Sequence, residues 1–185
     1  NYNVPMRVRS SFNDNPGTLI VKEAREMEKL FVTGITYNKE ESKITVLGIK
    51  DTPGMAAAIF TAVGKQNVNV DMIVQDVSEE GVTNISFTVP TGEVKKTVAA
   101  LESIKGKVGI KSIITDNSIA KVSAVGVGMK SHSGVAAMMF EALAEKKINI
   151  GMISTSEIKI SCVIEQKDCE EAVKAIHKKF NLGKK

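Results

Sequence analysis

Hydrophobic and polar positions along the chain follow two periodicities, one typical of strands and one typical of helices. Residues 43–50 alternate between apolar and polar and are rich in β-branched side chains, which predicts a strand. Apolar residues then recur at helical spacing over 55–63. Thr52 is the predicted N-cap of this helix and Pro53 its first residue, because a proline is tolerated where no intrahelical N–H bond is needed.

The same two periodicities continue to residue 115. Two alternating runs, 68–77 and 83–89, predict strands that the segment "SEEG" joins as a hairpin. A second helix is predicted over 93–104 and a last strand over 108–115. The order βαββαβ with right-handed crossovers predicts an α+β fold, a ferredoxin-like module whose four-stranded antiparallel sheet carries both helices on one face.

This module occurs twice in the chain. The segment "KDTPGMAAAIFTAVGKQNVNVDMI" begins at Lys50 and its counterpart "KSHSGVAAMMFEALAEKKINIGMI" at Lys130, and further on "ISFTV" aligns with "ISCVI". The chain therefore contains two homologous modules. The second copy has three predicted strands and two predicted helices, over 120–128, 148–156, 157–165, 133–146 and 167–180.

The second copy lacks a fourth strand, and an unpaired sheet edge is prone to association. The upstream run "LFVTGITY", residues 30–37, has strand character and no place in the first module. We predict that it completes the second sheet. The first module, residues 39–116, is then inserted within a second module formed by 28–38 and 117–185.

The composition limits the possible functions. Of the 185 residues, 43% are apolar and 25% are charged, which indicates a folded chain. The net charge is only +4, aromatic residues make up 4%, and there is no Trp, so a basic stripe with stacking aromatics for nucleic acid is not predicted. We find no membrane-spanning run and no secretion signal, and the two cysteines lack metal or redox spacing. These features predict a cytoplasmic protein without nucleic-acid or membrane partners.

A glycine lies at the start of the first helix in each module. Gly54 and Gly134 let backbone N–H groups approach a ligand without an intervening Cβ, and these donors and the helix dipole attract an anion such as a carboxylate. Asp51 and carbonyls of a neighbouring strand would receive an ammonium group, so a free α-amino acid is a natural ligand. The alternative is that both glycines only ease the packing of helix on sheet.

Nothing in the sequence indicates catalysis by this chain. The segment "GVGMKSHSG" has neither the Rossmann spacing nor the end of a P-loop. Arg7 and Arg9, on an alternating strand with Met6 and Val8, are interpreted as the solvated face of a sheet edge. We predict no catalytic residue, no metal site and no cofactor here.

The segments "ITVLGIKDTPGMAAAIFTAV", "GMKSHSGVA" and "ISTSEIKIS" carry a family resemblance. They closely resemble the paired ACT domains in the regulatory half of bacterial aspartate kinase, of the type with a small subunit, over residues 30–182. The opening "NVPMRVRSSFNDNPGTLI" resembles the end of the catalytic domain of that enzyme. Residues 1–27 are therefore predicted to be a remnant of that domain and a linker, with Met27 as a possible internal start.

The resemblance implies a regulatory function. The parent enzyme transfers a phosphoryl group from ATP, with Mg, to the side-chain carboxylate of L-aspartate, and its ACT pairs bind L-lysine, L-threonine or both as feedback inhibitors. This fragment is expected to be inactive alone. The implied partners are a second copy, through ACT pairing as a homodimer, and the catalytic subunit or domain of aspartate kinase.

The resemblance also implies two effector sites, each built from one module with residues of another. One would consist of Asp51, Pro53, Gly54, Met55, Ala56, Gln75, Asn149 and Ile150. The equivalent site would consist of Lys130, Ser131, His132, Ser133, Gly134, Val135, Ala136, Asn69 and Val70, with Ser156 and Glu157 close by on a hairpin.

Individual roles follow from side-chain chemistry. Gln75, which donates and accepts, suits a threonine hydroxyl, and Glu157 is the carboxylate for a lysine side chain. His132 either tunes binding with pH or is a solvated or merely capping imidazole. Asp51 aligns with Ser131, so the two sites are not expected to have equal affinities.

Two other functions remain open on the sequence. One is a free-standing amino-acid sensor or transcriptional regulator, which would need an attached DNA-reading helix. The other is a ligand-free dimerisation module, in which loop substitutions would change assembly only. RNA binding through the sheet is a more distant alternative, because "TNISFTV" lacks the aromatic and basic signature of such a strand.

Overall fold

The computed structural model describes residues 6–13, 15–20, 32–76, 80–126 and 134–183. Within these ranges the chain forms two four-stranded antiparallel sheets, each with two α-helices, and a short hairpin near the beginning. This is the predicted α+β architecture of two ferredoxin-like modules.

The first nine strands and α-helices are the two hairpin strands, strand β3 of the second sheet, and the four strands and two helices of the first module. They are β1 (Met6–Val8), β2 (Thr18–Ile20), β3 (Gly34–Asn38), β4 (Glu41–Lys50), α1 (Met55–Gly64), β5 (Ile73–Gln75), β6 (Val82–Pro90), α2 (Val94–Val108) and β7 (Ser112–Asp116). The remaining elements are β8 (Ile119–Val125), α3 (Val135–Glu145), β9 (Met152–Thr155), β10 (Lys159–Glu165) and α4 (Cys169–Lys179).

Strand order shows how the modules are interleaved. The first sheet has the order β5-β6-β4-β7 and the second has the order β3-β8-β10-β9. Strand β3 pairs with β8 in antiparallel register, from Gly34 opposite Val125 to Asn38 opposite Lys121. The prediction that an upstream strand completes the second sheet is confirmed, so the first module is inserted between β3 and β8.

Each sheet is covered on one face by its own pair of helices. In the first module, Ile59 of α1 and Leu101 of α2 are buried against Ile44 and Phe87 of the sheet, and the rings of Phe60 and Phe87 meet edge to face at 5.4 Å. In the second module, Met139 and Ile176 pack in the same way on Val122. Burial of these apolar surfaces is the main stabilising contribution to each module.

The two modules meet through a small apolar cluster. Met72 and Met152, which occupy equivalent positions in the repeat, are both buried there with Ile119 and Val163. Burial of these apolar side chains stabilises the contact between the two modules.

An ion cluster lies at the same junction. Lys121 of β8 binds the carboxylates of Glu41 and Asp71 in the first module, and Glu41 is almost fully buried. Burial alone would raise the pKa of Asp71, but its hydrogen bond to Lys121 and the nearby charges lower it overall. Likewise, burial would lower the pKa of Lys121, but its two carboxylate partners raise it.

Several predicted element bounds are wrong. Helix α1 begins at Met55, with Gly54 as N-cap and no side-chain cap, so Thr52 and Pro53 lie in the preceding turn. The reason is that Gly54 adopts a left-handed conformation, with a φ of 95°, that ends the turn two residues later than predicted. Helix α2 continues to Val108 because this residue is buried in the core, and Gly109 then ends the helix in a left-handed conformation.

The second strand of each module is shorter than predicted. Strand β5 comprises only Ile73–Gln75 and β9 only Met152–Thr155. Asn69 and Asn149, predicted on these strands, lie in the segments that precede them. Residues 78–79 of the predicted "SEEG" connection lie outside the described residues.

The first hairpin contains the arginines of the sequence analysis. Arg7 donates a hydrogen bond to the carbonyl oxygen of Pro16 at 2.8 Å, and Arg9 donates to that of Asn15 at 3.2 Å. Both arginines are exposed, in agreement with the interpretation of a solvated face. Among the described residues, no helix is long and apolar enough to cross a membrane.

Candidate functional site

A cavity of about 420 Å³ lies where β4 ends, α1 begins and β5 ends. Six residues of the first predicted effector site line it together, although they come from two separate segments of the chain. The lining residues are Ile49, Lys50, Asp51, Thr52, Pro53, Gly54, Met55, Ala56, Gln75, Thr83 and Ile85.

The loop at one wall of the cavity positions backbone donors. Met55 donates its N–H to the carbonyl oxygen of Thr52 at 3.3 Å, and Gly54 accepts from the N–H of Ala58 at 2.9 Å. A Cβ built on Gly54 would meet no atom within 4 Å, so the space beside this glycine is open. The remaining N–H groups of the first helical turn have no acceptor within the helix and can bind a carboxylate.

The opposite wall is formed by the ends of β5 and β6. Gln75 is the last residue of β5 and is exposed, whereas Thr83 and Ile85 are buried and form the floor. The Thr83 hydroxyl donates to the carbonyl oxygen of Asp76 at 2.8 Å. The cavity thus combines helix N–H donors, the carboxylate of Asp51 and a carboxamide around an apolar floor, a combination suited to a small zwitterion.

Sequence reasoning missed part of this lining. Five lining residues were not predicted as site residues: Ile49, Lys50, Thr52, Thr83 and Ile85. The two residues of β6 carry a weak signal, because alternation on β6 places positions 83 and 85 on the same face as the core. Thr83 and Ile85 come close to the loop after β4 only because β6 pairs with β4, and the sequence pattern does not show which strands pair.

The start of α3 repeats the geometry of the first helix. Gly134 is the N-cap with a φ of 96°, and it accepts a hydrogen bond from the N–H of Met138 at 2.9 Å. Val135 is buried and Ala136 is half-buried. The predicted site residues Lys130, Ser131, His132 and Ser133 lie outside the described residues.

The residues predicted to come from a facing module lie elsewhere in the single chain. Asn149 and Ile150 do not line the cavity beside Gly54. Asn69 and Val70 line a separate cavity of about 440 Å³, together with Glu41 and Asp71 of the ion cluster. Within the described residues, one chain therefore does not bring the two halves of the first predicted site together.

The β9–β10 hairpin contains the last two predicted site residues, Ser156 and Glu157. The Ser156 hydroxyl oxygen accepts the N–H of Lys159 at 3.2 Å, and the Ser156 N–H donates to the carbonyl oxygen of the same lysine at 2.8 Å. Both Ser156 and Glu157 are exposed. The serine therefore shapes the turn that presents Glu157.

Metal and thiol chemistry have no support in the described part of the chain. No group of three or more His, Cys, Asp and Glu side chains could hold a metal ion there. Cys162 and Cys169 are buried in the second module, and burial raises the pKa of Cys162 to about 12. Cys162 is thus a small apolar residue of β10, as predicted.

Comparison with protein families decides what this repeat is. The sequence model of the ACT domain matches residues 42–104 and 122–180, which together make up most of the chain and correspond to the two modules. The chain belongs to the ACT domain family. Its two modules are tandem ACT modules.

The similar proteins are aspartate kinases and their regulatory subunits. An aspartate kinase of Pseudomonas putida is 50% identical over 182 residues, which are 98% of this chain and 44% of the relative. The chain thus spans less than half the length of the curated relatives it matches. It corresponds to the regulatory part of these enzymes, as the resemblance implied.

Solved structures agree with this assignment. A structure of aspartokinase α and β subunits is 50% identical, with a TM-score of 0.77, over 82% of this chain and 99% of that one. The ligand-free regulatory subunit of aspartate kinase from Thermus thermophilus is 39% identical, with a TM-score of 0.77, over 80% of this chain and 98% of that one.

Proposed function

We propose that this chain is the feedback-sensing region of an aspartate kinase and that it binds L-lysine, L-threonine or both at interfaces between ACT modules. The parent enzyme would transfer a phosphoryl group from ATP, with Mg, to L-aspartate, and the nucleotide and metal would bind to its catalytic part. The observation that carries the proposal is the convergence of Asp51, Gly54 and Gln75 on one cavity.

The chemistry of the cavity fits a free amino acid. The N–H groups at the start of α1 would bind the effector carboxylate with help from the helix dipole. Asp51 would bind the ammonium group, and Gln75 would bind a side-chain hydroxyl. A cavity of about 420 Å³ lies within the usual range for small-molecule sites.

A second copy of the chain would complete the site. Asn149 and Ile150 lie away from the cavity within one chain, so pairing of the first module with the second module of a partner copy supplies them. Strands β5 and β9 are sheet edges that contact each other within the chain, and each still exposes an isoleucine: Ile73 is 50% and Ile153 is 42% exposed. An exposed apolar edge strand is a ready surface for pairing.

Effector binding at such an interface would act on the attached kinase. An effector that prefers one arrangement of the paired modules shifts the whole assembly towards that arrangement. Residues 1–27 would link this region to the catalytic domain. Inhibition would then need no contact between effector and substrate.

Calorimetric titration of the protein with the twenty amino acids tests the proposal. We expect saturable binding of lysine or threonine and a concentration-dependent rise in melting temperature, because a ligand that binds only the folded state stabilises it. Gln75→Ala should weaken threonine binding. Gln66→Ala is the matched control, since Gln66 lies on the outer surface between α1 and α2.

The outcomes separate the alternatives. Flat titrations with an intact dimer would favour a ligand-free dimerisation module and contradict the proposal. Equal loss of affinity in Gln75→Ala and Gln66→Ala would contradict the placement of the effector in this cavity.

A further inference from the structure

The side chain of Asn84 joins the two strands that form opposite walls of the cavity. Asn84 lies in β6, which is between β4 and β5 in the sheet. Its Oδ1 accepts a hydrogen bond from the backbone N–H of Gly48 at 3.0 Å. Its Nδ2 donates to Oδ2 of Asp76 at 3.2 Å. One carboxamide therefore connects β4 to the residue that follows Gln75.

The contact with Gly48 stabilises a β-bulge. Between Val46 and Ile49, β4 contains one residue more than the strand opposite, and Gly48 has a φ of 73°. A bulge interrupts the regular ladder of backbone hydrogen bonds, and the carboxamide of Asn84 supplies an acceptor for the Gly48 N–H. Since the bulge comes shortly before Asp51, its geometry sets the direction in which the cavity loop leaves the sheet.

The other end of the bridge holds the strand that carries Gln75. Asp76 donates its backbone N–H to the carbonyl oxygen of Asn84 at 3.0 Å, and its own carbonyl oxygen accepts from the Thr83 hydroxyl at 2.8 Å. Together with the carboxamide contact, three hydrogen bonds from two neighbouring residues fix Asp76. Gln75, one residue earlier, is positioned by the same contacts.

The second module carries no carboxamide at the position equivalent to Asn84. In the repeat, Asn84 aligns with Lys159 and Asp76 aligns with Ser156. The hydroxyl of Ser156 accepts from the backbone of Lys159 within the hairpin instead. The carboxamide bridge is thus a property of the first module.

We propose that Asn84 is a positioning residue of the first effector pocket, which sets the separation between the loop at Asp51 and the side chain of Gln75. This inference rests on the proposed function of the cavity. Asn84 does not line the cavity and acts through Gly48 and Asp76. Loss of the bridge lets the two walls move apart, so the effector loses simultaneous contact with both.

Calorimetry with L-threonine and L-lysine on the full chain tests the role. Asn84→Ala is expected to weaken binding at the first pocket about tenfold, the effect of losing one or two hydrogen bonds that preorganise a site. Thr45→Val is the matched control, because Thr45 and Ser86 bond at 3.0 Å between the same two strands, beyond the bulge. The control should bind like wild type.

A double variant that restores the bridge distinguishes a positioning role of Asn84 from a general effect on the stability of the fold. Asn84→Asp keeps the acceptor for the Gly48 N–H but places a carboxylate beside that of Asp76, so it should weaken binding. The double variant Asn84→Asp with Asp76→Asn exchanges donor and acceptor and restores the bridge, so its affinity should return to within about twofold of wild type. This rescue would support the proposal even if Asn84→Ala folds poorly.

The negative outcomes are distinct. If wild type binds and Asn84→Ala binds equally well, or if the double variant is as weak as Asn84→Asp, the role of Asn84 is overturned while the proposed function stands. If wild type binds neither amino acid, the proposed function itself is overturned.

Discussion

Gly54 and Gly134 adopt the same left-handed backbone conformation eighty positions apart, with φ of 95° and 96° and ψ of −9° and −11°. Each is the N-cap of the first helix of its ACT module, and neither helix has a side-chain cap. In both modules the carbonyl oxygen of this glycine accepts the first hydrogen bond of the helix, while the N–H groups of the first helical turn have no acceptor within the helix. The two modules thus share the backbone conformation at this position as well as the glycine.

Alanine at either glycine should destabilise the protein by about 1–2 kcal/mol, because an L-residue is strained in this conformation. A Cβ at Gly54 or Gly134 would meet no atom within 4 Å, so the cost comes from the backbone alone. Urea denaturation measures the free energy of unfolding. Gly106→Ala in α2, where the space is equally open and no positive φ exists, should instead stabilise by up to about 1 kcal/mol. Equal effects at the three positions would contradict the argument.

The ion cluster at the module junction should make the free energy of unfolding depend on pH. The lowered pKa of Asp71 means that its contribution is present above the ordinary value of 3.8 and is lost as pH falls through the lowered value. The raised pKa of Lys121 adds a contribution that is present below 10.5 and is lost as pH rises through the raised value. In Asp71→Asn, the free energy of unfolding should therefore fall less steeply below pH 4 than in wild type. Urea denaturation at a series of pH values measures this difference.

Substitution of Lys121 should lower the free energy of unfolding more than substitution of Asp71. Lys121→Met leaves Glu41, whose side chain is only 8% exposed, buried without its cation, and about 3 kcal/mol of stability should be lost. Lys174→Met, at an exposed position on α4 of the same module, is the control and should change stability little. An unchanged midpoint of Lys121→Met in urea would show that the cluster does not couple the modules.

The two cysteines should be unreactive in the folded protein. The pKa of Cys162, raised to about 12 by burial, leaves almost no thiolate at neutral pH, and the pKa of Cys169 is also raised mainly by burial. With a thiol-specific chromogenic reagent we expect no reaction in native buffer and two thiols per chain in guanidinium. Fast labelling of native protein would mean that the second module opens readily.

Lysine at the exposed edge isoleucines should weaken homodimer formation. Ile73→Lys and Ile153→Lys place a charge on the edges β5 and β9, so the dissociation constant should rise at least about tenfold. Sedimentation equilibrium measures this constant. Ile114→Lys is the matched control, because Ile114 is 51% exposed on β7, the opposite edge of the first sheet. If all three variants dimerise equally well, the proposed pairing is wrong.

Around the first candidate site, the sequence predicted which helix and strands are present better than it predicted where they begin and end. Asp51, Gly54 and Gln75, which the family resemblance implied as site residues, line one cavity. The helix start at Met55 was predicted two residues too early, since Thr52 and Pro53 have ordinary cap preferences that the left-handed Gly54 overrides. A local preference of this kind yields to the conformation that the whole loop requires.

The sequence by itself determined the repeated βαββα order and the insertion of one module in the other, because periodicity and homology between copies are local or directly comparable signals. Only the tertiary structure decided which side chains meet across long separations. Lys121 reaches Glu41 and Asp71, and Asn84 reaches Gly48, through strand pairing and module packing. Such contacts arise when backbones from distant segments are brought together, and a one-residue bulge in β4 is enough to change them.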